Sequence, residues 1–67
     1  MRIYLELLEI SEGEGDFIRI DITKWSEKDI AEAVELLREH ARVYSSYVLQ
    51  KHYCYHDEGG SCVIEPL

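Results

Sequence analysis

Four side chains near the C-terminus carry the chemistry that this sequence offers: His52, Cys54, His56 and Cys62. The first three are spaced two apart, so on an extended chain they share one face. The turn-forming run Asp57-Glu58-Gly59-Gly60 follows, and Cys62 lies just beyond it. Three chemistries fit the set. Two imidazoles and two thiolates are zinc ligands. Two thiols facing each other across a hairpin can close a disulfide. A thiol beside an imidazole is a nucleophile with its base.

The register of the turn decides among them. A three-residue loop with Gly59 in the left-handed conformation pairs His56 with Gly60 and Cys54 with Cys62. A four-residue loop pairs Cys62 with Tyr55 and carries the sulfurs apart. The spacing is not that of a zinc finger, and His52 and His56 need a bend in the strand to complete a tetrahedron. Paired cysteines in a cytosolic chain are more often free thiols, with heat-adapted organisms the exception. Catalysis has the least support. No glycine-rich phosphate loop, HExxH or GxSxG is present, and Asp57 and Glu58 are turn residues first. A chain of 67 residues also leaves little room for an enclosed pocket. The expectation is a protein that is not an enzyme and has no cofactor, with zinc at His52, Cys54, His56 and Cys62 as the alternative.

The elements that must position these groups follow from hydrophobic spacing. Ile3, Leu5 and Leu7 alternate with Arg2, Tyr4 and Glu6, the pattern of a half-buried strand over Met1 to Ile10. Leu7-Leu8 breaks the phase and suggests a bulge. After the polar turn from Ser11 to Asp16, a second strand runs from Phe17 to Thr23 with Ile18, Ile20 and Ile22 on its core face. Ser26 is a helix N-cap, with Trp25 before it placed to staple against Ile30. Ile30, Ala33, Val34, Leu37 and Ala41 form the apolar stripe, and Glu32, Glu35 and Glu39 fall on the solvated side. Acids in the first turn and His40 and Arg42 near the end suit the helix dipole.

From Arg42 the period changes to two. A long strand reaching towards His56 places Val43, Tyr47, Leu49, Tyr53 and Tyr55 on one face, and Tyr44, Val48, His52 and Cys54 on the other. Cys62 to Glu65 returns beside it, and Pro66 is expected to stop the pairing. The fold class is α+β: a β-β-α-β-β order, a four-stranded antiparallel sheet of order 2-1-3-4, and one helix packed on one face, because a right-handed crossover carries strand three past strand one. Residues 1–67 make a single small domain. The sheet's second face, with Tyr4, Leu8, Phe17, Tyr44 and Val48, has no layer to cover it.

Composition narrows the function class. Lys and Arg number 7 against 14 Asp and Glu, a formal net charge of −7, which argues against direct nucleic-acid binding. It suits association with a basic protein. The absence of Asn and the single Gln follow the heat-adapted trend. Apolar runs are too short to span a membrane, and Glu6 comes too early for a signal peptide, so the expected compartment is the cytoplasm. The expected function is an acidic adaptor or inhibitor. It would bind a basic protein partner through a sheet edge, the open sheet face and the C-terminal hairpin. A DNA-processing protein such as a sliding clamp or a nuclease fits that description, and a homodimer is the other use of an open face. The clamp-binding peptide pattern does not begin at Gln50, since Tyr53, His56 and Asp57 occupy its required places. The expected partner-binding residues are Tyr44, Val48, Tyr53, Tyr55 and Trp25.

Overall fold

Alternating apolar residues build the first hairpin. Strand β1 spans Arg2–Glu9 and β2 spans Phe17–Asp21, antiparallel, with Leu5 opposite Ile20 and Leu7 opposite Ile18. The computed structural model describes every residue except Glu12 and Glu14, so those two members of the connecting turn lie outside the described residues. Gly15 in that turn packs against the Glu9 carbonyl so closely that a Cβ would collide with it. The suggested bulge is not formed. Leu7 and Leu8 pair in unbroken register with β2 on one side and with the third strand on the other. Leu8 departs from the alternation because Phe17 and Val48 lie directly across from it, making a small apolar group on the open face.

Helix α1 spans Glu27–His40. Ser26 caps it, its hydroxyl accepting the Asp29 N–H at 3.1 Å. Ala33 and Leu37 are buried, and Ile30 and Val34 pack beside them, as the stripe requires. A single 3-10 turn over Ala41–Val43 continues the helix, so the chain does not become extended at Arg42. Strand β3 is therefore Tyr47–Cys54, and β4 is Val63–Pro66. The second strand likewise ends at Asp21, two residues short of Thr23, where the Asp21 carboxylate takes the Thr23 N–H at 3.0 Å.

The sheet order is β2-β1-β3-β4, antiparallel throughout, with α1 on one face, as the sequence predicts. Leu5, Leu7 and Ile22 are its largest fully enclosed side chains, joined in the core by Leu49, Ala33, Leu37 and Ala41. All residues of β4 are exposed. Pairing does not stop at Pro66: it faces Gln50, and the next amide, Leu67 N–H, reaches the Leu49 carbonyl at 2.9 Å. That bond makes Leu49 and Leu67 a hydrogen-bonded pair. By alternation the backbone groups of Ile64 and Pro66 point away from β3, so the proline's missing N–H leaves no ladder bond unmade.

Two expectations for the helix-to-strand junction are corrected. Val43 is 82 % exposed and not on the core face. Tyr44 packs against the core instead of standing on the open face. The 3-10 turn and the bend at Ser45 and Ser46 break the parity that an unbroken strand would have carried through. No helix is long and apolar enough to cross a membrane among the described residues.

Leu5 is fully enclosed at the centre of β1, so Leu5→Ala is expected to cost about 2–5 kcal/mol. Loss of the Ser26 cap in Ser26→Ala is expected to cost ~1 kcal/mol. Urea unfolding followed by circular dichroism checks both, and Leu5→Ala should be the larger loss.

Candidate functional site

Three places on the molecule gather functional groups. The first is the hairpin of β3 and β4. Its turn holds a 3-10 segment at His56–Glu58 and Gly59 at φ +77°, a left-handed position suited to glycine. Gly60 N–H closes the loop on the Tyr55 carbonyl at 3.0 Å, and Gly60 sits so near Tyr55 that an added Cβ would lie 2.9 Å from the tyrosine's own. Lys51 faces Glu65, His52 faces Ile64 and Tyr53 faces Val63. Carried one residue further, that register sets Cys54 opposite Cys62, the first of the two alternatives that the sequence allows.

Cys54 and Cys62 alternate with hydrogen-bonded pairs, so they occupy a non-hydrogen-bonded position, where facing side chains come closest. Both are free thiols. The imidazole of His56 stands between them, with Nδ1 3.5 Å from the Cys54 sulfur and Nε2 3.6 Å from the Cys62 sulfur. Desolvation, and then the neighbouring Cys54 thiol, push the Cys62 thiol above its ordinary value. Held protonated in this way, Cys62 is a poor nucleophile. His52 does not join the group. Of the four residues expected as metal ligands, the structure brings together Cys54, His56 and Cys62, whose potential ligand atoms lie within 4.8 Å of one another.

His52 is held instead by the second gathering, on the open face of the sheet. Glu6, in the middle of β1, is 2 % exposed. Its carboxylate accepts Arg19 Nε–H at 2.8 Å, with the Arg19 Nη2 also 2.8 Å away, and it accepts Gln50 Nε2–H at 2.8 Å. His52 Nδ1 lies 3.2 Å from both carboxylate oxygens. The register explains the convergence: Arg19 and Gln50 are the direct cross-strand neighbours of Glu6, and His52 is the diagonal one. Burial alone would raise the Glu6 carboxyl. The hydrogen bonds from Gln50, His52 and Arg19, with the charge of His52, outweigh it and hold the carboxyl below its usual range. Arg19 also lies over the rings of Tyr4 and Phe17, at 5.0 Å and 5.4 Å from their centroids. His52 Nε2 is buried with no hydrogen-bond partner among the described residues. Sequence reading assigns Glu6 to a solvated face. The signal that would have found it is the cross-strand alignment of one acid with Arg19 and Gln50, which needs the register and not the strand pattern alone.

The third place is the edge of β2. Glu9 N–H bonds the Asp16 carbonyl and Ile22 N–H bonds the Ile3 carbonyl, each at 2.9 Å. By alternation the backbone groups of Phe17, Arg19 and Asp21 point outward from the sheet. Beside this edge, between β2 and α1, opens a cleft of about 470 Å³ lined by Ile20, Trp25, Ala33, Leu36 and Leu37, and by Lys24, Asp29 and Glu32. Leu36 is 72 % exposed there and Trp25 43 %.

The five expected partner-binding residues do not form one surface. Trp25 lines the cleft. Val48 faces Leu8 on the open side. Tyr53 is half-buried on the helix side, its hydroxyl 3.5 Å from Glu65, and Tyr55 is half-buried beneath Gly60. Tyr44 packs at the core margin and donates its hydroxyl to Asp16 at 3.2 Å, with His40 Nε2 also 3.2 Å away. Compared with family models, curated proteins and solved structures, the chain matches none of them.

The Glu6 network makes a pH prediction. A carboxyl depressed in the folded state contributes stability that is complete above its unfolded pKa, about 4.3, and is lost as pH falls from there through the folded value. Asp21, lowered by its Thr23 hydrogen bonds, shares that acid limb. Glu6→Gln is expected to destabilise by ~1–3 kcal/mol at neutral pH, because hydrogen bonds to a charged acceptor are replaced by neutral ones. It should also make the decline in stability below pH ~4.3 shallower. Denaturant midpoints measured across that range decide it, and an unchanged acid limb would remove Glu6 from the account.

Proposed function

We propose that this protein is a non-enzymatic interaction module that takes an extended segment of another protein as an added strand on the edge of β2. The observation that carries this reading is the outward row of backbone groups at Phe17, Arg19 and Asp21, running beside the apolar cleft of Ile20, Trp25, Ala33, Leu36 and Leu37. A strand laid on an edge gains main-chain hydrogen bonds, and every second side chain points to the same side. On the helix side those side chains would enter the cleft, where apolar residues fit. The charge of the partner is set by the chain's net −7 and by Asp29 and Glu32 in the cleft wall. The favoured occupant is therefore a segment that alternates apolar with basic residues, within a basic protein.

The opposite edge is less suitable. Pro66 stands at an outward position of β4 and supplies no N–H, which blunts that edge against pairing. Trp25 keeps the role of contact residue, and Leu36 joins it. Both are exposed large apolar side chains beside the β2 edge, and Trp is among the side chains enriched at interface anchor points.

Synthetic decapeptides test the proposal directly. A peptide alternating Val with Lys should bind and change the Trp25 fluorescence, while one alternating Val with Glu should not. Binding should weaken as salt rises. Methylating alternate backbone nitrogens of the peptide should abolish it, since those N–H groups make the ladder. Leu36→Glu, at a site too exposed to disturb the core, should weaken binding about tenfold or more. Equal binding of the N-methylated peptide would overturn strand addition.

A further inference from the structure

We propose that Cys54, His56 and Cys62 form a binding site for a thiophilic metal ion, zinc(II) in the first instance, with two thiolates and one imidazole as its protein ligands. Three features of the hairpin carry this. The register puts the two cysteines on facing, non-hydrogen-bonded positions, so both sulfurs leave the sheet on the same side. The 3-10 segment then returns His56 over them instead of letting it continue along β3. Finally, the donor atoms lie close enough together to converge on one ion. With zinc–sulfur bonds of about 2.3 Å and zinc–nitrogen bonds of about 2.0 Å, tetrahedral geometry places sulfur and nitrogen ~3.5 Å apart. The two sulfur–nitrogen contacts here are 3.5 Å and 3.6 Å. The ring now offers a different nitrogen to each sulfur. One ligand atom from each of the three residues lies within 4.8 Å of the others, and coordination requires the exposed His56 ring to turn so that one nitrogen serves both sulfurs.

The donor types select the metal. Two sulfurs and an imidazole suit zinc, while magnesium and calcium require oxygen ligands and have none in this group. Three protein ligands leave a fourth position for water or for a donor from another molecule. The position is accessible, since Cys62 and His56 are exposed. Binding converts two thiols to thiolates, so one zinc(II) ion taken up releases two protons and no electrons move. The ion would also fasten β4, whose residues are all exposed and which adds nothing to the core, to β3. The hairpin lies across the sheet from the β2 edge, so the site stands apart from the strand-addition reading.

Reduced, metal-free full-length protein titrated with cobalt(II) is the test, because a cobalt–thiolate bond has a charge-transfer absorption that carboxylate or water ligands do not give. The expected result is saturation at one ion per chain, tetrahedral visible bands, and loss of the colour on adding zinc. Native mass spectrometry should find one zinc with two protons displaced. Zinc at a hundredfold excess over its Kd should raise the melting temperature by ~10–20 °C. Cys54→Ser, Cys62→Ser and His56→Ala should each weaken cobalt binding at least tenfold, with circular dichroism confirming that the variants fold. His52→Ala should leave stoichiometry and spectrum unchanged. No charge-transfer band from the reduced protein would overturn the proposal. So would a band that His56→Ala leaves intact.

Discussion

A single helix has to cover four strands, and most of the structure follows from that shortage. Helix α1 has 14 residues, so it is about 21 Å long and ~10 Å wide, while four strands spaced ~4.8 Å apart need a broader cover. The buried sheet residues come from β1, from Leu49 of β3 and from Ile22 just beyond β2; β4 contributes none. The helix therefore lies over the middle of the sheet and leaves a cleft on each flank. One is bounded by Ile20 of β2, the other by Lys51 and Leu67 at the β3–β4 side. The whole of the second face goes without a covering layer. Among the described residues no further helix or strand lies over it.

What occupies that second face is a polar cluster. Glu6 sits at its centre with less exposure than Leu49, Leu37 and Ala33 of the apolar core, and its neighbours supply the donors that an ionised carboxylate needs when water is excluded. The arrangement is sensitive to register. Moving β1 by one residue against β2 or β3 would turn Glu6 to the helix side and place Leu5 or Leu7 among the polar groups. Such a slip breaks both the hydrophobic core and the carboxylate network, so the two faces of β1 specify the same pairing by independent means. For a small core made largely of Leu, Ile and Ala, that second source of specificity matters, because aliphatic side chains alone tolerate alternative packings.

The legible parts of the molecule are those set by local pattern. Alternation placed the core faces of β1 and β2, the Ser26 cap and the apolar stripe placed α1, and the handedness of the crossover placed β3 beside β1. The parts that escaped depend on where one period gives way to another, or on which residues meet across strands. A count of two along an unbroken strand from Arg42 puts Tyr44 on the open face with Val48. The 3-10 turn at Ala41–Val43 and the bend after it made that count invalid. The Cys54–Cys62 pairing was one of two alternatives, and only the backbone of the turn, with Gly59 left-handed, selects it. His52 carried an ambiguity of the same kind. Its place in the alternation fits a ligand set with Cys54, but a buried carboxylate two strand positions from Tyr4 claims its Nδ1. Glu6 was invisible as a site because a lone acid on the polar phase of a strand reads as solvated until its cross-strand neighbours are known.

The two edges of the sheet are unequal, and the inequality gives the molecule a direction. At β4 the outward positions are Ile64 and Pro66, with Cys62 continuing the row towards the turn. A proline there removes one donor, so this edge is poorly suited to a further strand. At β2 the outward positions are Phe17, Arg19 and Asp21, none of which lacks an N–H. Arg19 is additionally anchored, since its guanidinium is tied to Glu6 and lies over Tyr4 and Phe17. The β2 edge is thus tied through Arg19 to the buried network of the second face, with its outward backbone donors unpaired among the described residues. A strand edge kept rigid in this way loses less conformational freedom on pairing than a mobile one. The same carboxylate that lies at the centre of the second face therefore also anchors Arg19 at the β2 edge.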